Sequence, residues 1–278
     1  MSIFFGLLSA LAWGGGDFFG GLASRKIGAY RAVFYGELLG LILLFIAVGF
    51  AGEALPAPGN LLLAGVAGAI GSVGLLILYQ AVRSGQMSIV MPVSALLAAA
   101  LPVAVGAFLQ GLPAPTKLAG FALALLAVWL VAQEDEEKTH LKRLSDLRLP
   151  LLAGLCFGTY FIIMHQASAT AVVWPMVASR SGGAIIILVF MLAFRQDFRI
   201  GRGTPWGLIG LNAVLDVGGN AFYILSSQVG RLDVSAVLSS LYPGATVLLA
   251  WLVLKEKINR VQWTGIAAAL AAIALLSI

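Results

Sequence analysis

The chain contains few of the residues that reactive or redox chemistry requires. It has one cysteine, Cys156, inside an apolar run, and two histidines, His140 and His165, that stand far apart. One cysteine excludes an internal disulfide and a cysteine-based metal site. The sequence also has neither a His-Glu-x-x-His nor a Gly-x-Ser-x-Gly motif, from which a zinc hydrolase site or a nucleophilic triad would be built. We therefore expect no enzyme, no bound metal and no cofactor.

Charged residues are also scarce. They make up 10% of the 278 residues, whereas hydrophobic residues make up 60%, and the mean hydropathy is +1.00. A soluble core of this length cannot hide so much apolar surface, so the composition predicts an integral membrane protein whose partner is the lipid bilayer. The net charge of +5 comes from Lys and Arg scattered over short loops without interleaved aromatic residues, which argues against nucleic acid as a partner.

The sequence contains an internal repeat. Glycines recur at a spacing of 145 residues, and an aromatic-glycine pair recurs at 144: Gly65 with Gly210, Gly74 with Gly219, Gly85 with Gly230, Gly120 with Gly265, and Trp13-Gly14 with Phe157-Gly158. Such a period indicates two similar halves. We assign residues 1–132 to the first half, 133–147 to a charged linker and 148–278 to the second half.

Apolar runs long enough to cross a bilayer, about 20 residues each, number ten in the sequence. Their approximate bounds are 2–24, 28–50, 59–83, 86–110, 115–132, 148–167, 170–194, 204–228, 231–254 and 260–278. The predicted fold is therefore an all-α integral membrane protein with ten transmembrane helices, five per half. Because five is odd, the two halves enter the membrane in opposite directions and form an inverted repeat, an arrangement typical of secondary transporters.

The first apolar run has some features of a secretory signal, since Ala10-Leu11-Ala12 resembles a small-x-small cleavage site. It lacks the positively charged n-region, and its counterpart at 149–158 lies deep in the chain. We expect it to be retained as the first structural helix.

The positive residues predict an orientation. Loops after the odd-numbered helices contain 14 of the 17 Lys and Arg residues, whereas loops after the even-numbered helices contain only Lys117 and Arg231. The positive-inside rule then places the odd-numbered loops in the cytoplasm and both termini outside. The expected location is the cell inner (plasma) membrane, as a multi-pass protein.

Several short motifs resemble those of the drug/metabolite transporter superfamily, and in particular of its EamA-like branch. They are Trp13-Gly14, Phe157-Gly158, the Leu238, Leu241 and Pro243 segment, Lys255-Glu256-Lys257, and Gly265. The first half departs from this pattern, with Ala98 at the position of Pro243 and Gln110-Gly111 at that of Lys255-Glu256. The resemblance implies transport of small metabolites, often amino acids and commonly outward, through a central cavity between the halves. Members of this family have been assigned cytoplasmic termini, which is opposite to the orientation that the positive residues predict. Both orientations of this chain therefore stay open.

Ionisable side chains at bilayer depth are costly and are functional candidates by default. We place four at that depth, away from the ends of the predicted helices: Asp17, Glu37, Arg180 and Asp216. Three acids against one base favour a substrate with a positive group, or protonation of one or two acids at neutral pH, because burial disfavours the charged form of a carboxyl group.

Helix 8 presents a polar stripe, because Asn212, Asp216 and Asn220 are four residues apart and Tyr223 follows Asp216 by seven. These side chains share one helix face. The stripe is either the wall of a substrate cavity or an interhelical clamp that binds neighbouring backbones.

Helix 1 places Trp13 one turn from Asp17 within a glycine-rich stretch. An acid beside an aromatic ring suits an ammonium group, through charge and cation–π attraction. The alternative is that Asp17 forms a structural ion pair with Arg180.

The remaining candidates lie in helices 3, 4 and 9. Ser239 and Tyr242 share a face of helix 9 just before Pro243, which frees a carbonyl and suits a gate or a static kink. Pro92 and Pro102 in helix 4 carry the same two interpretations. Tyr79 is either a cavity residue or part of the interfacial aromatic belt.

These observations predict a secondary transporter that works by alternating access, as a monomer, around a central cavity. The expected substrates are small metabolites, in the first place amino acids or related zwitterions, moved outward. The alternative is a proton-coupled exporter of drugs or lipophilic cations. Asp17, Glu37 and Asp216 would attract an ammonium or bind a coupling proton, and Arg180 would meet a carboxylate or neutralise an acid.

Overall fold

A computed structural model describes residues 1–84, 87–131, 148–199, 201–255 and 258–277, without the side chains of residues 81–84, 87–92 and 277. Within this part of the chain the regular structure is helical. The bounds are α1 Ser2–Ile27, α2 Ala29–Ala51, α3 Pro58–Ser84, α4 Met87–Gln110, α5 Pro115–Val131, α6 Arg148–Ala167, α7 Val173–Ala193, α8 Trp206–Gln228, α9 Leu232–Ser239, α10 Tyr242–Leu249 and α11 Arg260–Ser277, and a π-helical turn, Ala250–Leu254, follows α10. The predicted linker 133–147 lies outside the described residues.

The helices follow from the apolar runs of the sequence, since a backbone in lipid must satisfy its own hydrogen bonds. Eight stretches are long and apolar enough to cross a membrane, and Pro115–Val131 and Arg260–Leu276 are shorter apolar helices. Large apolar side chains point outward, as Phe50 and Phe108 do with 88% and 89% of their surface exposed. The chain is therefore a multi-pass membrane protein.

The predicted ninth helix, 231–254, is not continuous. The α9 helix ends at Ser239, a turn at Ser240 and Leu241 follows, and α10 begins at Tyr242 with Pro243 in its first turn. A proline is tolerated there because its missing N–H has no partner within the first turn of a helix. The α-helical pattern is therefore interrupted just before Pro243, within a stretch, Leu232–Leu254, that as a whole is long and apolar enough to cross a membrane.

Gly28 alone separates α1 from α2. Its φ is 89° and its N–H donates to the Ser24 carbonyl at 2.8 Å. This left-handed conformation costs a glycine little, so the chain reverses within one residue. The reversal brings the acidic residues of α1 and α2 onto neighbouring helices.

Helices of the amino-terminal part pack mainly on helices of the carboxy-terminal part. The α1 helix lies against α8, α9 and α10, while α6 lies against α3 and α4, α3 also packs on α7, and α5 packs on α11. Fully buried side chains such as Tyr79, Ile187 and Tyr223 fill these surfaces. The centre of the molecule is therefore built jointly by both parts.

Two glycines allow an aromatic ring to reach a neighbouring helix. A Cβ at Gly219 would lie 2.5 Å from the indole of Trp13, and a Cβ at Gly74 would lie 3.0 Å from the ring of Phe157. The distance at Gly219 is too short for a real side chain, and the distance at Gly74 is tighter than usual. The close approach of each ring therefore favours glycine at these positions. Gly219 follows Gly74 by 145 residues, and Phe157 follows Trp13 by 144. Each contact therefore joins a glycine of one half to an aromatic ring of the other half, and the two contacts are repeat equivalents with the halves exchanged.

The contact between α5 and α11 shows the same exchange. A Cβ at Gly120 would lie 2.9 Å from the Leu276 side chain, and a Cβ at Gly265 would lie 2.6 Å from the Val131 nitrogen. Position 276 follows position 131 by 145 residues, as 265 follows 120. Small residues here let the two helices approach closely, as they do in membrane proteins generally.

Candidate functional site

Arg180 joins two carboxylates in the middle of the helices. From α7, its Nη1 donates to Oε2 of Glu37 in α2 at 3.0 Å, and its Nη2 donates to Oδ2 of Asp216 in α8. Arg180 and Glu37 are 7% and 4% exposed. A guanidinium group provides several donors in a fixed plane and is suited to bridging two acids. The three side chains therefore form a buried ion-paired cluster, which we call the Arg180 cluster.

Glu37 has a second partner. The hydroxyl of Ser72 in α3 donates to its Oε1 at 2.6 Å, and the Ser72 residue is 5% exposed. Both oxygens of this carboxylate thus accept a hydrogen bond, as a buried carboxylate requires. Gly183 makes room for the pair, since a Cβ there would lie 3.1 Å from the Glu37 carboxyl group.

Asp17 stands apart from the Arg180 cluster. It is partly buried in α1, and its carboxylate makes no hydrogen bond or ion pair within the described part of the chain. The alternative prediction of an Asp17–Arg180 ion pair is therefore wrong, because Glu37 and Asp216 occupy the guanidinium. Asp17 is left as an uncompensated acid.

The polar stripe of α8 divides between two surroundings. Asp216 and Asn220 line a central cavity, and the amide of Asn220 accepts a hydrogen bond from the hydroxyl of Tyr160. Asn212 instead donates to the Gly16 carbonyl at 2.9 Å and to the Tyr79 hydroxyl at 3.0 Å. One helix face thus carries both alternatives: Asn212 is an interhelical clamp, whereas Asp216 and Asn220 belong to the cavity wall.

Aromatic rings form the opposite part of the wall. Trp13 stacks on Phe161 with ring centroids 5.4 Å apart, and Phe161 stacks on Tyr223 at 4.7 Å. Tyr223 donates to the Phe161 carbonyl at 2.7 Å and is fully buried. It therefore supports the ring stack from behind the cavity surface.

The cavity between the two groups of helices has a volume of about 90 Å³. Its lining combines the charged residues with aromatic and small ones. The lining residues are Trp13, Asp17, Glu37, Gly68, Gly71, Ser72, Leu75, Ala98, Phe157, Tyr160, Phe161, Ser179, Arg180, Asp216, Asn220 and Tyr242. All four ionisable residues predicted from the sequence border this one space.

Other predicted residues lie elsewhere. Tyr79 is 1% exposed and bonded to Asn212, so it is not part of an interfacial aromatic belt. Ser239 is completely buried in the last turn of α9, and Pro102 is buried in α4, which continues past it. The side chain of Pro92 lies outside the described part of the structure.

Some lining residues were not predicted from the sequence. Ser72 holds Glu37, Tyr160 binds Asn220, and Ser179 precedes Arg180 on the wall. Isolated hydroxyl groups in apolar helices form no pattern. Gly71 could have been predicted as a lining residue, because it is the repeat counterpart of Asp216 at the spacing of 145 residues.

Among the described residues no group of three His, Cys, Asp or Glu side chains is arranged to hold a metal ion. The site therefore offers charge, hydrogen bonds and aromatic faces. These are the means by which a pocket binds and orients a small molecule.

Comparison with known proteins agrees with this architecture. Residues 1–133 and 147–278 match the model of the EamA-like transporter family. A solved crystal structure is similar in fold, with a TM-score of 0.80 at 15% sequence identity, covering 99% of this chain and 95% of that chain. No curated protein matches the sequence significantly.

Proposed function

Since this chain belongs to the EamA-like transporter family, we propose that it moves small metabolites across the membrane by alternating access around the central cavity. Family membership indicates a membrane transporter of the drug/metabolite superfamily. The observation that carries the proposal is the cavity itself, because helices of both halves line it and all four ionisable residues border it. Charges at bilayer depth are typical of substrate and ion pathways.

We propose that the helices form ten transmembrane segments, with α9 and α10 counted as one span and the two shorter helices included. These segments would make two inverted five-helix repeats at 1–132 and 148–278. The exchanged contacts support this, since Gly74 with Phe157 corresponds to Gly219 with Trp13. A two-fold relation between antiparallel halves produces such pairs. Each half then contributes equivalent surfaces to the cavity, so rocking one half against the other opens opposite sides.

The broken helix supports a gating role for the α9 and α10 junction. The turn at Ser240 and Leu241 precedes Tyr242 on the cavity wall, and Pro243 starts α10. Discontinuous helices commonly border the substrate in transporters. Pro102 stays a second proposed gating residue.

The proposed substrate carries a positively charged group. The first candidates are amino acids or related zwitterions moved outward, and the second is a lipophilic cation exchanged for protons; Asp17, Glu37 and Asp216 would attract the ammonium in both cases. The residues proposed to contact or position it are Trp13, Asp17, Glu37, Tyr79, Arg180, Asn212, Asp216, Asn220, Tyr223, Ser239 and Tyr242. We propose a functional monomer in the cell inner membrane, with the odd-numbered loops in the cytoplasm.

A flux screen of purified protein in liposomes under an imposed pH gradient tests the function. We expect uptake of at least one small metabolite by the wild type and its loss in Asp216→Asn, because Asp216 is the cavity acid that holds Arg180 from α8. Asp197→Asn is the matched control, since Asp197 is exposed and bonds only the Arg199 backbone. Wild-type flux in Asp216→Asn would remove Asp216 from the mechanism, and no flux in the wild type would contradict transport.

A further inference from the structure

We propose that the substrate is an organic monocation, held by Asp17 among aromatic rings, and that Arg180 is an internal counter-ion unavailable to the substrate. This inference rests on the proposed transport function and selects the second of its two substrate classes, the cation, over the zwitterion. It follows from the partners of the two residues, the charge of the cavity and the composition of its wall.

Arg180 is already occupied on both terminal nitrogens. Nη1 binds Glu37 and Nη2 binds Asp216, and its side chain is only 8% exposed. A substrate carboxylate would have to displace one of these internal acids. The displaced acid would then be buried without a cation, which is strongly unfavourable. Among the described residues that line the cavity, no cation is therefore available to receive an anionic group.

Asp17 is in the opposite situation. Its carboxylate borders the same cavity but has no hydrogen-bond or ion-pair partner among the residues described. The acid would obtain a partner only from a bound cation or a proton. An ammonium group placed in the cavity supplies the missing positive charge without disturbing the Arg180 cluster.

The total charge points to the same class of ligand. When a cation takes the place of any proton on Asp17, so that all groups are ionised, the three carboxylates and one guanidinium of the wall contribute two negative charges. A monocation lowers this excess to one, a zwitterion leaves it unchanged, and an anion raises it to three. Because a low-dielectric interior strengthens such interactions, the cavity selects by net charge.

The apolar part of the wall suits the body of an alkylated cation. Trp13, Phe157 and Phe161 line the cavity, together with Tyr160 and Tyr242. Aromatic faces attract ammonium groups and are the usual means of recognising quaternary ammonium ligands.

The volume limits the probe. A cavity of about 90 Å³ is smaller than the roughly 150 Å³ that accommodates benzene in an engineered protein cavity. The probe must therefore be small. Tetramethylammonium is the smallest quaternary ammonium ion, and because it is about as large as benzene the cavity wall must move outward slightly to admit it. Pivalate and alanine are an anion and a zwitterion of similar size.

The test measures binding of these three probes to the purified full-length chain in detergent, by saturation-transfer NMR and by thermal shift. We expect tetramethylammonium to bind and stabilise the wild type, with affinity falling at least tenfold in Asp17→Asn and staying unchanged in Asp197→Asn. Alanine and pivalate should bind at least tenfold more weakly than tetramethylammonium. The wild-type thermal shifts give the charge preference even if Asp17→Asn fails to fold.

Equal or tighter binding of alanine, or tetramethylammonium binding that survives Asp17→Asn, would overturn the inference. Flux of the same probes in liposomes separates it from the proposed function. A wild type that carries alanine but not tetramethylammonium overturns the charge selectivity and leaves transport intact. A wild type that binds tetramethylammonium in an Asp17-dependent way but moves none across the bilayer supports the binding site and contradicts transport.

Discussion

Arg180 and Glu37 form an ion pair of 3.0 Å between α7 and α2, with side chains only 8% and 5% exposed. Replacing Arg180 with methionine leaves the buried Glu37 and the partly buried Asp216 without their cation. We expect Arg180→Met to destabilise the fold by about 3–5 kcal/mol, the usual effect of removing one partner of a buried pair. Thermal unfolding in detergent measures this loss.

The double variant Arg180→Met with Glu37→Gln is the control for that interpretation. It removes one of the two uncompensated charges and keeps a group that can accept the Ser72 hydrogen bond. We expect it to unfold at a higher temperature than Arg180→Met alone. An equal or lower midpoint would mean that lost packing of the arginine, and not unpaired charge, causes the destabilisation.

Gly219 should not tolerate a methyl group, because its Cβ would lie 2.5 Å from the Trp13 indole. Overpacking of this kind costs about 1–3 kcal/mol, so Gly219→Ala should lower the unfolding midpoint and reduce flux. The neighbouring Gly218→Ala is a close control, since its Cβ would meet only Phe222 at 3.9 Å. Equal stability of the two variants would contradict the close Trp13 contact.

The repeat predicts paired effects at the contact of α5 and α11. Gly120→Ala and Gly265→Ala introduce methyl groups at equivalent positions, 2.9 Å from Leu276 and 2.6 Å from Val131. Both should destabilise, by about 1–3 kcal/mol. Gly210→Ala, with nothing within 4 Å of its Cβ, should leave the unfolding midpoint unchanged or raised. A loss in only one member of the pair would contradict the equivalence of the two contacts.

Much of the helical architecture could be predicted from the sequence, because lipid requires long apolar helices and the glycine repeat marks their equivalent positions. The break between Ser239 and Tyr242 could not. The stretch Leu232–Leu254 is apolar enough as a whole for one membrane span, and a proline in it is compatible with either a kinked helix or a new one. The choice depends on the surroundings of that segment, which the sequence does not display.

The candidate site could also be predicted from the sequence only in part. Asp17, Glu37, Arg180 and Asp216 were identifiable because charge in an apolar helix is conspicuous. Their pairing was not, since it depends on which helix faces turn toward each other. Arg180 pairs with Glu37 and Asp216, and Asp17 forms no ion pair with any residue that the structure describes. Neutral partners such as Ser72 carry no comparable signal.

Alternating access requires the cavity to open to each side of the membrane in turn. Ser179→Cys in a Cys156→Ser background places one thiol on the cavity wall, and Ser9→Cys in the same background is the control, because Ser9 is fully buried outside that wall. A membrane-impermeant thiol reagent applied separately to right-side-out and inside-out vesicles measures access. We predict labelling of Ser179→Cys from both sides and none of Ser9→Cys; labelling of Ser179→Cys from one side only, however long the exposure, would contradict alternating access.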